Sequence, residues 1–324
     1  SKVGILVMIQ PEAFSLRLTL QVPSIMTLKP SSKLIEPTAR DNLVGIGLML
    51  LSMFVFSAVD TIAKVLTTDF HPLQIVWTRQ LGLVAGVFVM MALRGASLFE
   101  TKHRKLQLAR GLMAALSAAL FITAINYVPL ADAIAVTFVA PFVVTMFSAL
   151  LLKEKVGIHR WSAVIVGFLG TLVILRPGFD GFEPALLLAV LAAVLFAFRQ
   201  IISRYLSGSD KTETTVAYTA LVAVMVLFIP LPFVWQTPVS GFHLLLMAIM
   251  AILAGLGELL VIKALEVALA VVVSPVHYTI LIWGSLYGYF VFGDFPDYLT
   301  WIGAIIIILS GLYTLYRERK RAAR

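Results

Sequence analysis

Long stretches without a charged residue are the feature that most restricts how this chain can fold. A helix needs roughly 20 mostly apolar residues to cross the hydrocarbon core of a bilayer. Uncharged stretches of about that length or longer cover residues 111–131, 133–152, 214–242, 267–293 and 298–316. Because 60% of the residues are hydrophobic and only 13% are charged, a soluble fold could not cover its apolar surface. The sequence therefore predicts an all-α membrane protein.

Shorter apolar stretches, some interrupted by a single ionisable residue, bring the predicted transmembrane helices to ten. Proline and glycine residues lie at or near the proposed ends, where they favour turns. The predicted spans are 42–65, 72–93, 106–128, 131–152, 160–176, 183–205, 213–235, 241–264, 267–292 and 298–316.

Lysine and arginine residues lie mainly in alternate connections of this ten-helix arrangement. The connections after the second, fourth and sixth helices are basic, and so is the end of the chain. Because cytoplasmic loops of membrane proteins are enriched in these residues, both termini are predicted to be cytoplasmic, in a bacterial inner membrane. The same bias explains the net charge of +8, so no nucleic-acid partner is predicted.

The two halves of the chain resemble each other at a shift of 140 residues. Besides many apolar matches, Lys64 aligns with Arg204 and Glu154 aligns with Asp294. Five helices per half is an odd number, so the second half must insert upside down relative to the first. Inverted repeats of this kind build many secondary transporters, with a binding site near the membrane midplane.

Four segments follow from this organisation. We expect a disordered N-terminal extension, or a remnant of the expression vector, at 1–40. A first five-helix repeat at 41–180 and a second at 181–316 are followed by a basic cytoplasmic tail at 317–324. The extension lacks the order of basic, apolar and small residues that marks a signal peptide.

Several short motifs follow one another in a characteristic order, the first five in the first half of the chain and the last two in the second half. They are AINY at 124–127, Ala133, Pro141, LKEK at 152–155, Trp161, YT at 278–279 and FGDFP at 292–296. In order and spacing, residues 42–316 resemble the ten-helix EamA-type members of the drug/metabolite transporter superfamily. The resemblance implies a central cavity between the halves and transport without ATP. The chain departs from the family where Asp294 replaces the usual Glu and where Leu281 aligns with Pro141.

The leading hypothesis is a secondary active transporter that moves a small polar metabolite by alternating access. The resemblance implies an amino acid, another organic anion, or a planar cofactor such as riboflavin or S-adenosylmethionine as cargo. The lipid bilayer and a coupling proton are the other expected partners, and the chain is expected to be a monomer or homodimer. No cofactor, catalytic residue or metal site is predicted, and the chain contains no cysteine.

Two other classes of protein remain open. An intramembrane enzyme acting on a lipid-linked substrate needs a convergent set of acid, base or metal ligands, and the sequence shows no such spacing. A passive channel or sensor would favour rings of repeated polar residues, whereas the ionisable residues here differ between the halves.

Ionisable residues inside the predicted spans are the first candidates for substrate binding, because each one is expensive to place in a membrane. Arg79 can bind a carboxylate or phosphate with its planar fork, or can be neutralised by a nearby acid. Glu258 can bind a cationic group, exchange a coupling proton, or pair with Arg79, Arg199 or Lys263. Arg199 and Gln200 interrupt the sixth predicted helix and can line a cavity.

Polar and aromatic residues in two further spans can supply hydrogen bonds or a wall for a planar ligand. The alternative for them is packing between helices or anchoring at the membrane interface. These candidates are Asn126, Tyr127, His277, Tyr278 and Trp283.

A third group of residues is predicted to be structural. Asp60 and Lys64 are four residues apart and can pair along one helix face, and Lys263 and Glu266 can pair in the same way. Two GxxxG motifs are expected to form seams where helices approach closely. The remaining residues of this group are Gly82, Gly86, Gly284, Gly288, Pro141, Glu154 and Asp294.

Overall fold

The computed structural model describes residues 38–151, 158–176, 183–206 and 209–322. Every regular element in these ranges is helical, which confirms the all-α class. Glu154 and residues 1–37 of the predicted extension lie outside the described residues.

In the described residues of the first half, the chain forms six α-helices and a short 3₁₀ segment at Gly95–Phe99. Their bounds match the first five predicted spans to within a few residues, except that the fourth span is divided in two. They are α1 (Ala39–Leu66), α2 (Pro72–Arg94), α3 (Arg104–Tyr127), α4 (Leu130–Thr137), α5 (Ala140–Leu151) and α6 (Ile158–Leu175).

The second half continues, within the residues that the structure describes, with seven α-helices and two irregular helical segments. The 3₁₀ segment Ser274–Tyr278 and the π-helical turn Gly288–Phe292 lie before and after α12. The helices are α7 (Leu186–Leu206), α8 (Thr212–Phe228), α9 (Leu231–Val234), α10 (Gly241–Val267), α11 (Ala270–Val273), α12 (Thr279–Tyr287) and α13 (Tyr298–Ala322).

The fourth and ninth predicted spans are each interrupted near a proline, although the two prolines are not related by the 140-residue shift. Pro141 is the second residue of α5, and Pro275 lies in the first turn of the 3₁₀ segment. Proline has no backbone N–H, so it cannot extend a helix that precedes it. No charged residue lies at or near either break, so the apolar pattern does not reveal this division.

Six helical stretches in the described part of the chain, one of them made of α4 and most of α5, are long and apolar enough to cross a membrane. They cover Ala39–Leu66, Pro72–Ala92, Arg104–Tyr127, Leu130–Phe147, Leu186–Leu206 and Gly241–Val267. Three shorter apolar helices cover Trp161–Leu175, Thr212–Phe228 and Tyr298–Tyr313.

Local signals explain where several helices begin. Thr38 and Asp41 form a capping box before α1, in which each side chain accepts a hydrogen bond from the other residue's backbone N–H. Pro72 is the first residue of α2. A backbone N–H at this position would have no hydrogen-bond partner within the helix, so proline costs nothing there. Ser240 caps α10 by accepting from the N–H of Phe242.

The helices pack in pairs, and shifting the residue numbers by 140 turns each pair into another packed pair or into itself. Helix α1 lies along α10 and α3 lies along α7, while α6 contacts α13 and α2 contacts α8. Ser52 donates to the Gly257 carbonyl over 2.8 Å, and Ser117 donates to the Ala192 carbonyl over 2.8 Å. Positions 52 and 192, and positions 117 and 257, differ by 140, so the two hydrogen bonds join corresponding places.

Only some of the predicted glycine seams lie at close helix contacts. A Cβ on Gly82 would lie 1.7 Å from the Ala251 carbonyl oxygen, so α2 and α10 approach there backbone to backbone. A Cβ on Gly284 would lie 2.5 Å from the Ile134 side chain. A Cβ on Gly288 would lie 3.2 Å from the carbonyl oxygen of Asp294. A Cβ on Gly86 would meet nothing within 4 Å, so the predicted seam is wrong at that position.

Candidate functional site

An ion pair between α1 and α2 forms one part of a charged cluster inside the bundle. Arg79 donates from Nη1 to Oδ1 of Asp60 over 3.0 Å, and the two side chains are 19% and 8% exposed. Asp60 is therefore the acid that neutralises Arg79. The predicted pairing of Asp60 with Lys64 is wrong, because Asp60 contacts α2 and Lys64 extends to another partner.

Arg199 and Glu258 form the second part of the cluster. Arg199 on α7 interacts electrostatically with Glu258 on α10 and with Arg79. Its guanidinium lies 4.6 Å from the ring centre of Phe196, one helical turn earlier. Among the described residues, the buried Nε of Arg199 has no hydrogen-bond partner.

Arg110 belongs to the cluster although it was not among the residues predicted to bind substrate. It donates from Nε to Ser203 over 2.6 Å and from Nη1 to the Thr215 carbonyl over 3.3 Å and to the Thr219 hydroxyl. It also interacts electrostatically with Arg199 and Glu258. A signal was available, because the predicted span 106–128 already contained this residue.

We call these five residues, Asp60, Arg79, Arg110, Arg199 and Glu258, the central charge cluster. They come from α1, α2, α3, α7 and α10, so both halves of the chain contribute. Three arginines face two carboxylates, which leaves one positive charge in excess. Electrostatic interactions are stronger in a low-dielectric interior than in water, so such a cluster can attract and orient an anionic group.

Other residues predicted to bind substrate lie at the surface of the bundle. Gln200 follows Arg199 on α7 but is exposed. Asn126 and Tyr127, at the end of α3, are exposed too, with Tyr127 at 67%. The structure does not bring these three residues into the central charge cluster.

The aromatic candidates of the ninth span make packing contacts between helices. Tyr278 lies edge to face with Phe138, at 5.1 Å between ring centres, and its hydroxyl fills the space beside Gly311. Trp283 lies edge to face with Phe54 at 5.2 Å, and His277 is exposed. These contacts favour helix packing over ligand stacking for Tyr278 and Trp283.

A second polar group joins α1 to the end of the ninth span. Lys64 forms an ion pair with Asp294 at 3.3 Å and donates to the Val128 carbonyl over 3.0 Å. Its ammonium also lies 4.8 Å from the ring centre of Phe292. We call this group the Lys64 clamp, because one side chain connects three segments of the chain.

Two concavities in the described residues lie away from the central charge cluster. One, of about 490 Å³, is formed by the connecting segment Thr101–Leu106. The other, of about 270 Å³, is lined by Trp77, Phe228, Leu231, Pro232 and Trp235. The first is formed by one short stretch of chain at the start of α3 and the second has apolar walls, so the charge cluster is the better candidate for binding a polar solute.

Long apolar helices around a partly buried charge cluster are typical of a multi-pass membrane protein that handles polar solutes. The model of the EamA-like transporter family matches the chain twice, over residues 43–176 and 183–316. The chain belongs to the EamA-like transporter family, as its motifs predicted, and is a metabolite transporter.

Similar proteins are named for two different solutes. An S-adenosylmethionine uptake transporter of Rickettsia felis is 29% identical, with 87% of this chain and 96% of that protein aligned. A riboflavin transporter of Vibrio cholerae is 35% identical over 67% of this chain and 73% of its own length. A crystal structure with 18% identity and a TM-score of 0.59 covers 87% of this chain and 98% of its own, which shows a shared fold.

Proposed function

We propose that the chain is a secondary active transporter that carries a small polar metabolite across a bacterial inner membrane by alternating access. The observation that carries the proposal is the central charge cluster, to which helices of both halves contribute. A solute bound there would contact both halves at once. Rocking of one half against the other would then expose the same site to each side in turn.

The proposed topology has ten transmembrane helices, arranged as two inverted repeats at 41–180 and 181–316, with both termini in the cytoplasm. Helix bounds that recur at a shift of 140 support it, since α3 shifted by 140 covers 244–267 and α10 ends at Val267. The paired hydrogen bonds of Ser52 and Ser117 support it too.

S-adenosylmethionine and riboflavin are the first solutes to test, because similar proteins are named for them. The purified full chain in liposomes should accumulate at least one labelled metabolite in exchange for the same compound inside. The central charge cluster should be needed, so Arg79→Ala should reduce exchange to the level of empty liposomes. Lys263→Ala is the matched control, because Lys263 pairs with Glu266 over 2.6 Å on an exposed face.

The assay also separates transport from the two other classes. An intramembrane enzyme would convert a lipid-linked compound without accumulating a solute. A passive channel would equilibrate the label without counterflow. Either result, obtained with folded protein, would contradict the proposal.

A coupling proton is proposed to act through Glu258, whose carboxylate lies half-buried among arginines. Wild-type uptake should then depend on the pH outside the liposomes, and Glu258→Gln should remove that dependence. Glu266→Gln changes an exposed carboxylate of the same helix and should leave the dependence intact. A pH profile that Glu258→Gln leaves unchanged would exclude this role.

A further inference from the structure

We infer that the segment 293–297, together with the two cations that it pairs with, forms a gate that closes the outer end of the bundle. We call this segment, which lies directly before α13, the outer strap. The inference rests on the proposed transport function and its topology. It names the contacts that must separate before the central charge cluster can open to the outside.

Two ion pairs join the outer strap to the first half of the chain. Lys64, in the last turn of α1, pairs with Asp294 over 3.3 Å. Arg176, directly after α6, pairs with Asp297. Both cations belong to the first half and both carboxylates belong to the strap. This one short connection therefore fastens the second half to the first half at two points.

The strap covers the cations that it pairs with. The side chain of Lys64 is 14% exposed, whereas that of Asp294 is 41% exposed. The side chain of Arg176 is 20% exposed, whereas that of Asp297 is 42% exposed. Pro296 is buried between the two aspartates, so the strap lies against the bundle. Partly exposed ion pairs contribute little to stability, which suits contacts that separate and form again in every transport cycle.

The strap lies on the outer side of the central charge cluster, next to it along α1. Asp60 is four residues before Lys64, so their side chains share one helix face and are about 6 Å apart along the helix axis. Asp60 contacts Arg79 of the cluster, and Lys64 contacts the strap. A solute that leaves the cluster along this face of α1 meets the Lys64 clamp before it reaches the outside.

The start of the strap allows it to move without unfolding a long helix. Gly293 has a φ of 75°, in the left-handed region that glycine adopts at low cost. Among the described residues, a Cβ on Gly293 would meet nothing within 4 Å, so the backbone conformation and not a lack of space favours glycine there. A change of backbone angles at such a residue can carry both aspartates away from their cations together.

A single thiol between the cluster and the strap can report whether the outer end is open, because the chain contains no cysteine. Thr61 follows Asp60 on α1 and is 5% exposed. Thr61→Cys in the full chain is labelled with a membrane-impermeant maleimide, from outside in intact cells and from the cytoplasmic side in inverted vesicles. The rate of labelling from each side measures how often the protein is open to that side.

Removing both strap carboxylates should shift the protein toward the state that is open to the outside. In the Thr61→Cys background, Asp294→Asn with Asp297→Asn should raise the rate of labelling from outside by about tenfold, because two partly exposed ion pairs of the closed state are lost. Labelling from the cytoplasmic side should fall, because the population of the other state decreases. If the double variant does not fold, each single variant should shift both rates in the same directions by a smaller factor.

Three further variants separate a gate from a general effect on the fold. Glu183→Gln is the matched control, because it removes an exposed carboxylate from another connection at the same end of the bundle, and it should change neither rate. Asp294→Lys should speed labelling from outside, because two ammonium groups then repel each other. Adding Lys64→Asp should restore the slow rate. Faster labelling from both sides, or unchanged rates in folded protein, would overturn the inference.

The labelling needs no substrate, so the gate and the proposed function can fail separately. Exchange of a metabolite by a protein whose labelling the strap variants leave unchanged would retain the transport function and overturn the gate. The expected shift in labelling, in a protein that exchanges no metabolite, would support the gate and contradict the transport function. Faster labelling from the cytoplasmic side alone would overturn the assignment of the strap to the outer end.

Discussion

At the scale of single residues, the buried charges of this chain are matched across helices and not along them. Asp60 could pair with Lys64 one helical turn away, yet each binds a residue that is distant in sequence. A charge inside a membrane protein requires an opposite charge or a polar group nearby. Which of several candidates supplies it depends on helix packing, so the sequence left several partners open.

The Asp60–Arg79 pair gives a prediction that distinguishes stability from transport. Asp60→Asn should destabilise the protein, because it leaves a buried arginine without its counter-charge, and breaking a buried pair in this way costs about 3–5 kcal/mol. Adding Arg79→Gln should recover most of the lost stability, since no lone charge then remains. Thermal unfolding in detergent measures both effects.

Transport by the same variants measures whether the Asp60–Arg79 pair is also needed for the transport cycle. The double variant should fold but fail to accumulate substrate, because the central charge cluster would lack its Asp60–Arg79 ion pair. A double variant that transports at the wild-type rate would show that the pair serves folding alone. Equal unfolding temperatures for wild type and Asp60→Asn would contradict the structural part.

At the scale of helices, the apolar pattern located the elements but not their internal breaks. The bounds of α1, α2 and α3 lie within three residues of the predicted spans. The fourth and ninth spans were predicted as continuous because no charged residue lies at or near the break in either of them. Pro141 and Pro275 divide them, and a proline near the middle of an apolar run does not by itself reveal whether a helix bends or stops.

One connection between helices depends on a single carboxylate. Asp210, before α8, accepts hydrogen bonds from Thr101 over 2.5 Å and from Gln107 over 2.7 Å. Partial burial opposes ionisation, but these hydrogen bonds and one from Ser209 hold the pKa of Asp210 below its usual value. The charged form is therefore favoured by folding.

A folded-state pKa below the unfolded value stabilises the protein above the unfolded pKa, and this contribution is lost as the pH falls through the folded pKa. Asp210→Asn should accordingly lower the unfolding temperature at pH 7. The difference from wild type should shrink below about pH 4, near the ordinary pKa of an aspartate. Unfolding temperatures measured from pH 7 to pH 3 test this, and a constant difference would contradict it.

The Lys64 clamp gives a prediction for the elements that it joins. Asp294→Asn should change the unfolding temperature little, because Asp294 is 41% exposed and exposed ion pairs contribute only about 0–1 kcal/mol. The exchange rate should change more if separation of α1 from the ninth span is a step of the transport cycle. The charge exchange Lys64→Asp with Asp294→Lys should restore the rate, and failure to do so would argue against the ion pair.

At the scale of the whole molecule, the sequence repeat and the packing describe the same symmetry. The 140-residue shift exchanges the α1–α10 contact with the α3–α7 contact, and it exchanges the Ser52 and Ser117 hydrogen bonds. The central charge cluster does not follow this symmetry, because Glu258 aligns with Ala118 and Arg79 aligns with Thr219. The charges proposed to bind substrate are thus not part of the repeated pattern, and a repeat search alone could not locate them.

The absence of cysteine from the sequence makes the proposed topology directly testable, because no native thiol has to be removed. Lys102→Cys and Lys211→Cys place single thiols in connections that inverted five-helix repeats put on the same, cytoplasmic side. Gln236→Cys, in the exposed connection before α10, should lie on the opposite side. In intact cells a membrane-impermeant maleimide should label position 236 only, and in inverted vesicles it should label positions 102 and 211. Labelling of 102 and 211 from opposite sides would mean an even number of spans in the first repeat, and the inverted arrangement that brings both halves around one charge cluster would be wrong.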